Sequence, residues 1–333
     1  MNCNNIADIC KFYGVDSELI SDVIDTSRGK DDIRYHYIIN KKFVLKVSNS
    51  NSITEIFLQE MKRLITRYRN IDVWCPNLIL NTKNELLTII EHEGQFYYCY
   101  MEEFAPYHFL QDNENLYESK KEILPHLGKL AVKYSGIDLS STYSMWSIID
   151  LAPFDLTDEK QESLNLLVEN LKKRGYLELG ESLLESNKKA RNNIFTIFRD
   201  LPRCVYQGDL NPTNILVNKE NRFVGIIDFN MFGTEVNINC FLNECMYYLT
   251  LDDFQQLDVN EIFTKMNYIQ NDLLQSIFEF YKLNAIEKKV FKDYKKIIDT
   301  SFYPNVMLWI YLLNENKYIN KVVSFIEKLV SQE

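Results

Sequence analysis

No two of the ten glycines lie two positions apart, so the chain has no GxGxxG. That removes the dinucleotide-binding fingerprint and the glycine-rich loop that covers nucleotide phosphates in protein kinases. Gly29-Lys30 is followed by Asp31 and has Ile24 five positions before the glycine, so it is no Walker phosphate loop either. The seven cysteines are scattered and none forms a CxxC pair. Neither a zinc ribbon nor a disulfide framework is indicated, and a reducing cytoplasm is the expected compartment. The four histidines (His36, His92, His108, His126) are isolated, with no HExxH zinc motif. No run approaches the roughly eighteen apolar residues of a membrane-spanning helix. The N-terminal residues lack the basic start and apolar stretch of a signal peptide. Positive charge is in deficit too: 37 Lys and Arg against 47 Asp and Glu leave a net charge of −10. A general nucleic-acid binder needs the opposite balance, whereas an acidic surface is compatible with a cationic small-molecule partner.

What is present is an ordinary globular composition, 46% hydrophobic and 25% charged over 333 residues, enough for one or two domains. The first hundred residues mix strand and helix. Ile33–Ile39 and Phe43–Val47 are β-branched and aromatic runs joined by Asn40-Lys41-Lys42, a hairpin spacing. A helical segment follows from about Ser52 to Tyr68, then a second hairpin pattern, Leu86–Ile90 and Gln95–Met101 around His92-Glu93-Gly94. Beyond Met101 the apolar spacing turns helical, over about 116–134, 162–173 and 179–198. Strand patterns return only over about 203–229, and helical ones resume from about Phe241.

That late strand-like region carries the chemistry. Tyr206-Gln207-Gly208-Asp209-Leu210-Asn211-Pro212-Thr213-Asn214 leads into Ile215-Leu216-Val217, and Gly225-Ile226-Ile227 ends on Asp228. Phosphoryl transfer from a magnesium nucleotide calls for these groups: a carboxylate to take a hydroxyl proton, and an amide and a second carboxylate to hold metal. Hard divalent cations prefer such oxygen ligands. Upstream, Lys46 is a single cation in the strand pattern Phe43–Ser48. Ile53, Ile56, Phe57 and Leu64 define an apolar helical stripe on which Glu60 falls. A carboxylate on such a face is costly unless paired, and Lys46 is the expected partner of Glu60. Glu55 points elsewhere and is expected to be solvated.

The 206–228 segment resembles the catalytic core of the aminoglycoside phosphotransferases and their choline-kinase-like small-molecule relatives. Gln207 stands where that family usually has His, and Asn237 and Asn239 stand where many relatives carry a loop-anchoring Asp. The resemblance implies an α+β, protein-kinase-like, two-lobed fold with a small antiparallel-sheet N-lobe and a larger, mainly helical C-lobe. Lobes of 1–102 and 103–333 follow, with a hinge near Glu102-Glu103-Phe104-Ala105-Pro106. It further implies Asp209 as base, Asn214 and Asp228 as magnesium ligands, and Lys46 paired with Glu60 on the nucleotide side. The backbone at Glu102 and Phe104 would receive the adenine, and Thr26–Lys30 is the candidate phosphate loop. ATP or GTP with magnesium are the implied cofactors, and the acceptor is a hydroxyl of a small molecule, an aminoglycoside or another amino-alcohol or sugar. No nucleic acid or membrane partner is expected.

Two other readings stay open at this stage. A catalytically inactive pseudokinase, used as a binding or regulatory module, fits Gln207 and the glycine-poor loop. A protein Ser/Thr kinase is disfavoured by Gln-Gly-Asp and Asp-Phe-Asn in place of His-Arg-Asp and Asp-Phe-Gly. Substrate selection is expected in the helical half. Glu244, Asp252-Asp253 and Asp258–Glu261 could grip ammonium groups there, with solvated helix ends and loops the preferred account of all of them. Tyr247-Tyr248 could serve as an aromatic cage for a quaternary ammonium, although aromatic pairs are more often core.

Overall fold

The computed structural model describes residues 3–16, 20–29, 31–110, 116–152 and 155–331. The chain divides into two compact units, residues 1–113 with 211–229, and residues 114–210 with 230–333.

The first unit is built on an antiparallel sheet of β1 (Ile20–Asp25), β2 (Arg34–Ile39), β3 (Phe43–Ser48), β4 (Leu78–Ile79), β5 (Thr88–His92) and β6 (Gln95–Glu103). Turn chemistry sets its two hairpins. Asn40 and Lys41 both take positive φ (49° and 50°) between β2 and β3, as do Glu93 and Gly94 (52° and 76°) between β5 and β6. Two such residues give the backbone twist that matches paired strands. Strand alternation then sorts the faces. Ile39, Leu45, Val47, Tyr97, Cys99 and Met101 form a core with Ile6, Ile9, Cys10 and Tyr13 of α1 (Cys3–Phe12) and the turn after it. The intervening residues His36, Lys46 and Tyr100 are cross-strand neighbours in one row.

α2 (Glu55–Arg69) buries Leu58, Met61, Leu64, Ile65 and Tyr68, whereas Ile56 is 65% exposed. The buried stripe is therefore rotated from the expected one, and Glu60 is half-buried on its flank. Glu55 also differs from expectation. Its carboxylate accepts hydrogen bonds from the Leu86 and Leu87 amides (3.1 and 2.9 Å to Oε2), tying the helix start to the segment before β5.

The first compact unit extends beyond residue 102, where the N-lobe was expected to end. β7 (His108–Phe109) pairs with β9 (Ile215–Val217), which pairs with β10 (Phe223–Ile226). The Leu110 amide donates to the Ile215 carbonyl at 3.0 Å. These ladders tie β7 to the later segment 211–229 within the first unit.

Among the described residues, the second unit holds α3 (Leu116–Tyr134), α4 (Glu159–Lys173), α5 (Leu177–Ile197), the strand pair β8 (Arg203–Tyr206) and β11 (Gly233–Val236), and six further helices. These are α6 (Asn237–Glu244), α7 (Leu251–Gln256), α8 (Val259–Phe278), α9 (Ala285–Ser301), α10 (Tyr303–Asn314) and α11 (Ile319–Val330). Leu164, Leu167, Leu171, Met266, Trp309 and Phe325 lie at the centre of its apolar core. The acids at 252–261 belong to helix starts. Asp253 closes a capping box with Thr250, and Asp258 closes one with Glu261, each satisfying amides that a helix terminus leaves open. Among the described residues, no helix is long and apolar enough to cross a membrane.

Candidate active site

In the first unit, Lys46 and Glu102 lie on the sheet face opposite the apolar core. Lys46 faces Tyr100 across the ladder, and Glu102 is two residues further on the same strand. That diagonal is within reach of long side chains. Lys46 Nζ lies 3.1 Å from Glu102 Oε1 and 3.9 Å from Asp228 Oδ1, with Lys46 and Glu102 both buried. The carboxylate set against Lys46 is thus Glu102 from the strand, where Glu60 from the helix was expected. Burial works against the lysine's charge, but Glu102, Tyr100 and Asp228 outweigh it and hold its pKa above the usual range. Burial and then the Lys46 charge push neighbouring His36 down to about 4, so His36 is neutral at pH 7.

Asp228 follows β10 in a left-handed conformation, φ 56°, which an L-residue holds only when its surroundings fix it. The preceding residue supplies one constraint: the Ile227 amide donates to the Asn214 carbonyl at 2.9 Å. The residue after it supplies another, because Phe229 is buried with its ring 5.8 Å from that of Tyr68 on α2. Asn211 caps the single turn Pro212–Asn214, its side chain accepting from the Thr213 amide at 3.0 Å. Lys46, Asn214 and Asp228 are so assembled within one unit.

The stretch expected to receive adenine is already engaged. The Glu103 amide donates to Asn77 O (2.9 Å) and the Phe104 amide to Lys42 O (2.8 Å). The Glu103 carboxylate accepts from the Asn77 amide and from Arg69. Thr26–Gly29 does lie in the β1–β2 connection, where Arg34 grips Asp32 at 2.6 and 2.9 Å; Lys30 lies outside the described residues.

In the second unit, Gln207 is fully buried and its Oε1 accepts the Asp209 amide at 2.7 Å. The amide side chain therefore braces the loop from the position of the family's usual His. Gly208 has φ 85°, and a Cβ there would sit 2.3 Å from the Met231 carbonyl oxygen. Both constraints demand glycine. Gly208→Ala is expected to destabilise the protein by about 1–3 kcal/mol through strain and to displace Asp209. Urea unfolding with parallel turnover assays checks this, and wild-type values in both would refute it.

Trp146 Nε1 donates to the Gly208 carbonyl at 2.5 Å, and Asn239 Nδ2 donates to the Trp146 carbonyl at 2.8 Å. Asn237 is buried, accepts from Tyr206 Oη at 2.9 Å and donates to Ser135 Oγ at 2.8 Å. These two asparagines tether the segment where relatives carry Asp. Glu244 on α6 is raised above the ordinary carboxyl range by burial first, with the Asp209 charge adding to it and Lys120 and Lys160 opposing. Burial, Glu244 and Asp209 likewise push Tyr248 up to about 12.

A sequence model of the phosphotransferase enzyme family (APH) matches residues 27–235, more than half of the chain. The chain belongs to this family. Among solved structures it is similar to a microcompartment-associated aminopropanol kinase at 9% identity and TM-score 0.54, over 99% of this chain and 95% of that one. It is also similar to an amicoumacin kinase in complex with AMP-PNP and Ca2+, at 11% identity and TM-score 0.53, over 98% and 92%. At these identities the likeness concerns the fold, which is protein-kinase-like. A comparison with curated protein sequences finds no match.

For this phosphotransferase-family chain, sequence reasoning overlooked Glu102 as an ion-pair partner, and Trp146, Lys120 and Lys160. The alternation of Gln95–Glu103 held the signal for Glu102, since it places Tyr100 and Glu102 on the Lys46 face. Lys120 and Lys160 sit in amphipathic helices, where a lysine ordinarily reads as solvent-facing.

Proposed function

We propose that this protein is a nucleotide- and magnesium-dependent kinase that transfers a γ-phosphoryl group to a hydroxyl of a small molecule. The observation that supports this most is the gathering of Lys46, Asn214 and Asp228 in one unit, with Lys46 3.9 Å from Asp228. Asn214 and Asp228 offer oxygen donors of the kind magnesium takes, and magnesium usually completes its shell with water and substrate phosphates. When bound, the ion would neutralise charge developing on the phosphoryl oxygens.

The chain's own residues do the rest. Lys46, kept charged at neutral pH, meets nucleotide phosphate oxygens, and Glu102 fixes its direction. Asp209 accepts the proton of the acceptor hydroxyl as the new O–P bond forms. Because the Glu103 and Phe104 amides are occupied, adenine or guanine recognition falls to carbonyl oxygens of this stretch and to the backbone from Ala105 onward. The names of the aminopropanol and amicoumacin kinases are in keeping with a small-molecule acceptor.

A thermal-shift comparison of ATP and GTP, with and without magnesium, tests the metal assignment. Ligand at about 100 times its Kd should add about 2.7 kcal/mol of apparent stability, and Asp228→Ala should lose the magnesium-dependent part. An unchanged magnesium increment in that variant would remove Asp228 from the metal site.

A further inference from the structure

Lys120 and Lys160 are both more than nine-tenths buried in the second unit, 6% and 1% exposed, yet their surroundings differ. Lys160 Nζ has a carboxylate, Glu159 Oε2, at 2.6 Å and lies 5.6 Å from the ring centres of Trp146 and Phe302. Its charge is matched, and it supports the tryptophan that holds the Gly208 carbonyl. Lys120 Nζ instead donates to a neutral group, the main-chain carbonyl of Glu244, at 2.6 Å, and lies 5.2 Å from the centre of the Tyr248 ring. Among the described residues no carboxylate comes within ion-pair distance of it. An ammonium has three donors, so two remain after Glu244, and a buried cation is costly unless paired. Burial lowers the pKa of Lys120, with Glu244 opposing.

The location gives this cation a use. Tyr248 is 44% exposed, so the cluster opens to solvent there. α6 links this cation to the loop of the proposed base: its Asn239 holds the Trp146 carbonyl, Trp146 holds the Gly208 carbonyl beside Asp209, and its Glu244 carbonyl holds Lys120. The Asp209 charge also acts on Glu244 and Tyr248. We propose that Lys120 receives an anionic oxygen group, a carboxylate or phosphate ester, on the acceptor alcohol. This rests on the kinase reading above and narrows it: the acceptor is a small alcohol that carries negative charge, despite the net charge of −10. Glu244 stays available to hydroxyl or amino groups of the same molecule.

Matched alcohols with and without the anion test this: glycerate and glycerol phosphate against glycerol, and L-serine against ethanolamine, with an aminoglycoside as polycation. The wild type is expected to favour an anionic member at least tenfold in kcat/KM. Lys120→Met, which keeps the side chain's length and removes the charge, should erase that preference through KM while leaving the nucleotide KM unchanged. Preference for neutral or cationic alcohols, or an intact anion preference in Lys120→Met, overturns the proposal. Magnesium-dependent nucleotide binding is measured on the same samples, so failure of the kinase reading is recorded separately. Should turnover be absent, thermal shifts with glycerate and glycerol phosphate decide: a shift lost in Lys120→Met upholds the anion site, and no shift refutes it. Whether glycerate or glycerol phosphate gives the larger effect identifies the anion.

Discussion

Asp209→Asn is expected to lower kcat by about 10²- to 10⁴-fold, the range that a positioned proton acceptor contributes, while the melting temperature holds or rises. The amide is nearly the same size as the carboxylate but cannot take the hydroxyl proton. The loop that presents it is fixed by other groups: Gln207 on the Asp209 amide, Trp146 on the Gly208 carbonyl, and the glycine conformation at 208. The variant should therefore keep the loop's shape. Removing the Asp209 charge also relieves one of the effects that raise Glu244, so the folded state loses a repulsion. A residue with only a structural role would give the reverse pattern, with lower stability and near-normal turnover of the folded fraction. Steady-state kinetics and calorimetry on one preparation distinguish them, and kcat within tenfold of wild type would remove Asp209 as the base.

The sequence was most legible where local chemistry and tertiary environment agree. Both hairpins of the first unit were readable because left-handed turn residues separate runs of strand-forming residues. Spacing around Asp209, Asn214 and Asp228 was readable because the loop and its flanking strands are continuous in the chain. β1 was not readable: most of its residues are exposed, so it lacks the alternation that burial imposes. β11 is fully buried but only four residues long, too short to show a period. In α2, Ile56 and Glu60 gave the wrong phase because a single exposed isoleucine counts as apolar in any stripe. Glu102 beside Lys46 could not be read from local pattern, since that contact depends on which strand lies beside β3.

Lys120 exposes a different limit. Its helix, α3, has a hydrophobic pattern that a lysine at this position interrupts only once, and its burial is created by Glu244 and Tyr248 more than a hundred residues later. Helical spacing does set Lys120 on the face of Ile123, Leu124 and Leu127, but nothing local says what its ammonium meets. The chemistry proposed for it comes wholly from tertiary packing, as does the burial of Glu235 on β11.

Glu235→Gln is expected to stabilise the protein at alkaline pH and leave it nearly unchanged at acidic pH. Glu235 is 3% exposed; its Oε1 accepts from the Val236 amide at 2.7 Å and from Ser147 Oγ at 3.2 Å. Its Oε2 is buried without a hydrogen-bond partner among the described residues. Burial accordingly raises its pKa from 4.5 to about 7, against the opposing hydrogen bonds. The unfolded chain releases this proton near 4.5 and the folded protein near 7, so between those values the folded state binds more protons. Stability therefore falls as pH rises through that window and levels off above it. At about 1.4 kcal/mol per pH unit, the full loss is about 3 kcal/mol. Glutamine carries no charge to expel, so the variant should show a flatter profile and exceed wild type by up to that amount at pH 8. Urea unfolding at pH 5, 6, 7 and 8 measures the difference. A constant gap across the series would mean that the carboxylate is already ionised in the folded protein, with solvent or an unseen donor reaching Oε2. A gap that widens with pH would locate a destabilising charge on the strand paired with β8, the strand from which the Asp209 loop departs.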